Sequence, residues 1–247
     1  MEMGMGETKP EADSVTPRRA RIPAAPRERA VALKDRAYDI IKHHIITCRF
    51  APGEKLNEAQ VGTRLNLSRM PVRNALAKLA LEGLVTIRPR KGLEVRPVDP
   101  EELLQIIEAR VINECRAIKL AARNVTDEEL AALRDVIDRT AAAEASHDTE
   151  TMMLLDREFH DLLARASGSA VFSDILRNLH DRSVRFWFIS LNEQTQQGTV
   201  LRDHREIVEA MEARDGAAAS RALARHIEAF RRNVTQRVRD GWPHSAN

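Results

Sequence analysis

Two cysteines, Cys48 and Cys115, are all that 247 residues contain. They are too few and too isolated for a disulfide framework or a thiolate metal site, which fits a reducing compartment. No apolar run approaches the roughly 20 residues needed to span a bilayer. The polar first residues carry no signal-peptide core, so the expected location is the cytoplasm, with no membrane partner. Glycine is scarce beyond residue 100, where only Gly168, Gly198, Gly216 and Gly241 occur, and a stretch so poor in breakers reads as helix. There is no convincing internal repeat; Ala141-Ala142-Ala143 and Ala217-Ala218-Ala219 are helix-favouring composition.

Net charge is nearly absent too, at +2, but the balance hides an asymmetry. Residues 30–100 carry 13 Lys+Arg against 7 Asp+Glu, and residues 101–247 carry 20 against 25. The basic part is the nucleic-acid candidate. The length suits a small module plus a larger domain, each with its own core. The expected division is a disordered basic arm over 1–29, a DNA-binding module over 30–97, a linker at 98–100, a helical domain over 101–240 and a tail from 241. The arm has Pro10, Pro17, Pro23 and Pro26 and almost no large apolar side chain to offset ordering entropy. Its five arginines between Arg18 and Arg29 could track phosphates.

From Val31 the pattern is helical, with Leu33, Ala37, Ile40, Ile41, Ile45 and Ile46 on one face. Asn57 caps a short second helix, and Ser68 caps a third after a tight connection, which is the outline of a helix-turn-helix. The third helix turns Val72, Leu76, Leu79 and Ala80 inward and Arg69 and Arg73 outward. Residues 84–88 and 93–96 read as two strands joined by a basic tip, Pro89-Arg90-Lys91-Gly92, which is a wing. Arginine is the preferred bidentate reader of guanine in the major groove, so Arg69 and Arg73 are the candidate base contacts. Ser68, Arg64, Arg90, Lys91 and Gly92 are the candidate backbone-contacting and wing positions.

The segments Pro52-Gly53-Glu54-Lys55-Leu56, Leu67-Ser68-Arg69-Met70-Pro71-Val72-Arg73-Asn74-Ala75-Leu76 and Glu82-Gly83-Leu84-Val85 resemble the winged-helix signature of the GntR family of bacterial regulators. The resemblance implies a recognition helix in the major groove and a wing near the minor groove. Asn74 departs from the family pattern, which has a glutamate after the arginine matching Arg73.

Six helices are expected beyond Pro97 and Pro100, a candidate hinge: 101–124, 127–146, 150–166, 171–193, 199–213 and 216–239. Thr126 and Glu129 form a capping box for the second of them. Asp156 and His160, four residues apart, share a helix face with a relative rotation of about 40°. His204 and His226 stand some 10 and 11 residues on either side of the turn near Arg214-Asp215. At 1.5 Å per residue each is roughly 16 Å from that turn, so an antiparallel hairpin sets them side by side. Three imidazoles and a carboxylate suit a divalent ion such as zinc, nickel or manganese.

Asp156-Arg157-Glu158-Phe159-His160, Ala166-Ser167-Gly168, His204-Arg205-Glu206-Ile207 and His226-Ile227 resemble the FCD ligand-binding domain of the FadR subfamily, and the six-helix count is similar to its VanR-type group. The resemblance implies that Asp156, His160, His204 and His226 bind a metal that receives a carboxylate of a small organic acid. It also places Arg110 on the pocket wall as a carboxylate clamp, the alternative being an ion pair to Glu114. Asn178 and Arg182 are further cavity candidates, and Ser169 stands where the family often has asparagine.

The combined expectation is a mainly α protein, a winged helix-turn-helix joined to an all-α six-helix FCD bundle. It would act as a homodimeric repressor on an imperfect palindrome of double-stranded DNA, released by a small carboxylate. A metalloenzyme is the competing class, although Glu158 points away from Asp156 and no other general base is evident. A metal-independent binding module and a metal sensor are the other readings.

Overall fold

Pro26 opens the first helix of the computed structural model, which describes residues 26–88, 90, 92–190 and 197–241. Proline suits a first helical position because its missing N–H is one that the helix leaves unpaired anyway. Residues 26–29, expected in the arm, therefore belong to α1, Pro26–Ile46. The rest of the arm and the tail beyond Gly241 lie outside the described residues.

β1 (Lys55–Leu56), α2 (Glu58–Leu65), α3 (Arg69–Leu81), β2 (Val85–Arg88) and β3 (Gly92–Val95) complete the N-terminal part. Asn57 caps α2 in a capping box with Gln60, and Asn66 ends it in a left-handed turn with φ 52°. That turn swings the chain sharply into α3. Val61, Val72, Ala75, Leu76 and Leu79 pack against Ala37, Ile41 and Ile45 of α1 in one apolar core. Ala80, half-buried, packs against the edge of that core as expected. The sheet has the order β1-β3-β2, with Leu56 opposite Leu93 and Val85 opposite Val95. The sequence reading missed β1, since two residues are too short to show alternation.

Six helices follow among the described residues: α4 (Pro100–Asn124), α5 (Asp127–Ala145), α6 (Thr149–Ala166), α7 (Ala170–Ser190), α8 (Gln197–Glu212) and α9 (Gly216–Arg239). Their starts are chemically marked. Asp99 accepts from the amides of Glu101 and Glu102 with Pro100 in the first turn, Thr126 and Glu129 form the expected box, and Asp215 caps α9. Their inner faces meet in a core that includes Ile107, Ile118, Leu133, Phe159, Phe186, Ile207, Leu223 and Ile227. No helix among the described residues is long and apolar enough to cross a membrane.

The expected hinge at 97–100 is clamped. Arg185 on α7 donates to the Arg96 carbonyl, and Glu102 accepts from both Arg96 and Arg182. Lys42 of α1 reaches Asp181 of α7 at 2.5 Å, and Ile46 at the end of α1 packs into the bundle core.

Gly92 has φ +87°, and a Cβ there would meet the Leu56 carbonyl oxygen at 2.8 Å. Glycine is required because β3 turns left-handed while pressing on β1. Gly92→Ala should therefore lose about 1–3 kcal/mol, the scale of a strained residue, read as a lower urea midpoint. An unchanged midpoint would mean that the wing relaxes around the methyl group.

Candidate metal centre and nucleic-acid interface

α3 presents its polar face to solvent. The side chains of Arg69 and Arg73 are 85% and 68% exposed, and Glu58 at the start of α2 lies 3.6 Å from the first and 4.0 Å from the second. Pairs this exposed add little stability. Their effect is orientation, and Glu58 supplies across the turn a carboxylate that Asn74 does not. Ser68 stands at the cap position of α3 as expected but makes no side-chain cap bond; it is exposed, at a helix N-terminus suited to an anion.

Arg64 is otherwise engaged: it pairs with Glu54 at 2.5 Å and its guanidinium stacks 4.4 Å over Phe50. Arg90 is exposed in a left-handed turn, φ 62°. Lys91 lies outside the described residues. Gly92 is held against the Leu56 carbonyl of β1 at the start of β3.

In the bundle, α6, α8 and α9 bring Asp156, His160, His204 and His226 together, with one donor atom from each lying within 4.8 Å of all the others. The hairpin arithmetic for α8 and α9 holds: the His204 and His226 rings are 4.8 Å apart. Asp156 Oδ1 is 3.3 Å from His204 Nε2, 3.8 Å from His226 Nε2 and 3.9 Å from His160 Nε2. The His160 and His226 Nε2 atoms face each other at 3.3 Å. Phe159 stacks on His204 at 3.9 Å and fixes its plane.

Carboxylates orient the imidazoles from behind. Glu114 Oε2 is 2.6 Å from His160 Nδ1, and Asp203 Oδ2 is 3.7 Å from His226 Nδ1. A proton held on Nδ1 leaves the Nε2 lone pair for the centre. His204 is fully buried and neither ring nitrogen completes a hydrogen bond; the approach of its Nε2 to Asp156 lacks the alignment. Burial by itself would raise the Asp156 pKa, but His204, His160 and His180 outweigh it and hold the carboxyl well below the ordinary range. Burial also pushes His204 down, toward the neutral form. A buried carboxylate facing three imidazoles, with both nitrogens of His204 unmet, is what a divalent cation needs, so the residues fit the ion.

Arg110 is buried. Its Nε donates to Glu114 Oε1 at 2.6 Å and its Nη1 to Ser183 Oγ at 3.2 Å. Of the two alternatives the ion pair is the one present, and Glu114 bridges Arg110 to His160. Asn178 and Arg182 do not reach the cluster. Asn178 donates to the Glu82 carbonyl at 2.8 Å and Arg182 to Glu102, so both lie on the face of α7 that meets the N-terminal part. Glu158 pairs outward with Arg139. Sequence reasoning missed Asp203, although its place before His204 is a signal, and His180, a lone histidine with no spaced partner.

These features define a class: a winged helix-turn-helix reader of DNA joined to an all-α bundle whose interior carries a metal-type donor set. The model of the bacterial regulatory proteins of the gntR family matches residues 33–95, and that of the FCD domain matches residues 105–229. The chain is similar to the HTH-type transcriptional repressor RspR of Escherichia coli (strain K12), with 31% identity over 199 residues that cover 81% of this chain and 87% of that protein. It is also similar to the HTH-type transcriptional repressor GlaR of the same organism, 30% identical over 198 residues, 77% of this chain and 90% of that protein. The solved structure of E. coli McbR/YncC shares the fold, with TM-score 0.76 at 21% identity over 83% of this chain and 98% of that one. The chain belongs to the GntR family of bacterial regulatory proteins and carries an FCD domain. It is a transcriptional regulator rather than an enzyme.

The Glu114 carboxyl is raised by burial, but Arg110 first and His160 next reverse this and hold it far below its ordinary value. A depressed folded-state pKa contributes stability that is complete above the unfolded value, about 4.3, and is lost as pH falls toward the folded one. Glu114→Gln should be less stable at pH 7 and lose less on acidification from about pH 5 to pH 3 than the parent. Parallel stability curves would show that Glu114 carries no such charge.

Proposed function

We propose that this regulator is a repressor that binds an imperfect palindrome as a homodimer and is released when a small organic acid enters a metal-bearing pocket in the bundle. The observation that carries the reading is the convergence of Asp156, His160, His204 and His226 inside an apolar core. These four would hold a zinc, nickel or manganese ion. When bound, the ion supplies a positive, Lewis-acidic point for a carboxylate. Arg110, buried one helix away and already matched to Glu114, is the protein cation suited to receive an acid by exchanging one carboxylate for another. The repressor sign is supported by the names of two relatives at 31% and 30% identity.

DNA recognition is assigned to Arg69 and Arg73, with Ser68 and Arg90 at the backbone and Arg64 in a supporting role. Release requires the acid to favour an arrangement with lower DNA affinity, and each tenfold change in that affinity needs about 1.4 kcal/mol of coupling. The route is α7. Its His180 packs on His160, while Asn178, Asp181, Arg182 and Arg185 hold the Glu82 carbonyl, Lys42, Glu102 and the Arg96 carbonyl.

Arg69→Ala should weaken binding to a duplex selected from a random pool by at least about tenfold, at the low end of the 1–3 kcal/mol of a bidentate base contact. The melting temperature should stay the same, because the side chain is exposed. Unaltered affinity removes Arg69 from the base-reading set. Native mass spectrometry of untagged protein should give a dimer with one metal ion per subunit. Protein that stays metal-free after incubation with zinc, nickel and manganese rules out the four-ligand site.

A further inference from the structure

His180 stands beside the donor set without belonging to it. It is 5% exposed, its ring lies 4.4 Å from that of His160, and its Nε2 is 3.8 Å from Asp156 Oδ2. That oxygen is the one other than Oδ1, which His160, His204 and His226 approach. Neither ring nitrogen of His180 has a hydrogen-bond partner. A neutral imidazole carries one N–H and one lone pair, and a buried pair of unmet polar atoms is rare enough to call for a ligand or a water.

The surroundings define what would meet it. Arg110 is pinned alongside through Ser183, whose hydroxyl donates in turn to the His180 carbonyl. The imidazole lines a cavity of about 10 Å³ with Glu114, Arg157, His160, Asp161, Arg177 and Asp181, which has room for one water, and the arginines there are matched by carboxylates while the imidazole is not. An imidazole on the wall of such a space with both nitrogens unmet, beside a guanidinium and a donor set suited to a cation, has an N–H to offer an oxygen of an anion. Larger ligands require the α6 and α7 side chains to part.

We propose that His180 contacts the effector directly, its ring N–H donating to a carboxylate oxygen on the Oδ2 side of Asp156. The inference rests on the metal-pocket reading above and adds to it a fifth side chain that binds ligand without coordinating the ion. It also fastens the ligand to α7 at the residue before Asp181, which holds Lys42.

The test uses the full chain loaded with cobalt(II) and titrated with acetate, followed by the visible absorption of the bound cobalt, in wild type, His180→Phe and His180→Gln. All three should hold one cobalt per subunit. His180→Phe should bind acetate about tenfold more weakly, equivalent to about 1.4 kcal/mol. His180→Gln, which keeps a donor, should recover part of the difference and carries the test if the phenylalanine variant does not fold. Equal acetate affinity in wild type and variants overturns the contact, as does a cobalt-loaded wild type whose spectrum acetate leaves unchanged. Loss of cobalt from His180→Phe overturns it by making His180 a ligand of the ion. A wild type that takes up no cobalt brings down the metal-pocket reading itself, and the proposal with it.

Discussion

Asp181 has no exposed surface, and its carboxylate is shared between Lys42 of α1 and Arg157 of α6. Desolvating three charges is costly, and mutual attraction offsets that cost only when the geometry is tight. Burial alone would lower the Lys42 ammonium pKa, and Asp181 reverses this and holds it above the ordinary value. Lys42 also reaches Glu82 and the Tyr38 hydroxyl, so one ammonium links the first helix, the end of the recognition helix and the bundle. A greasy contact in its place would let α1 slide over α7. Charges with fixed partners allow one register, which is the best-attested use of buried ion pairs.

The same logic governs the interior of the bundle. In a core of leucine, isoleucine and phenylalanine each buried imidazole or carboxylate carries a desolvation cost that a partner offsets. Glu114 serves Arg110 on one oxygen and His160 on the other, and so sets the His160 tautomer while neutralising the guanidinium. Asp203 faces His226 Nδ1 from the far side at 3.7 Å, a charge nearby rather than a hydrogen bond. The centre is therefore preorganised by side chains that never enter it, on rigid helices rather than loops.

Much of this was legible in the chain because helical geometry is arithmetic. Asp156 and His160 fall on one face by spacing alone, and His204 and His226 meet because their distances from the Asp215 turn are nearly equal. Thr126 and Glu129, and the wing around Gly92, are local signals of the same kind. What periodicity could not supply is the rotation of a helix packed on both sides. Asn178 and Arg182 share α7 with His180, yet they turn to the N-terminal part while His180 turns to His160. Which side each faces is decided by Glu82, Glu102 and Lys42, distant in sequence. Likewise β1 exists only because β3 lies alongside it, and Glu58 matters to Arg69 and Arg73 only once the α2–α3 turn is closed.

Ile46 is the feature whose consequence reaches furthest. Ile41 and Ile45 fill the winged-helix core, while Ile46, the next residue, fills the bundle core. The compositional border near residue 100 is thus not the mechanical border, because the last turn of α1 is a structural part of both halves. A recombination event that joined a foreign reader to this bundle at the linker would leave an isoleucine-sized void in the bundle unless the incoming helix ended in a similar side chain. Domain shuffling in such a chain is constrained by one methyl-bearing residue more than 50 positions upstream of the apparent joint.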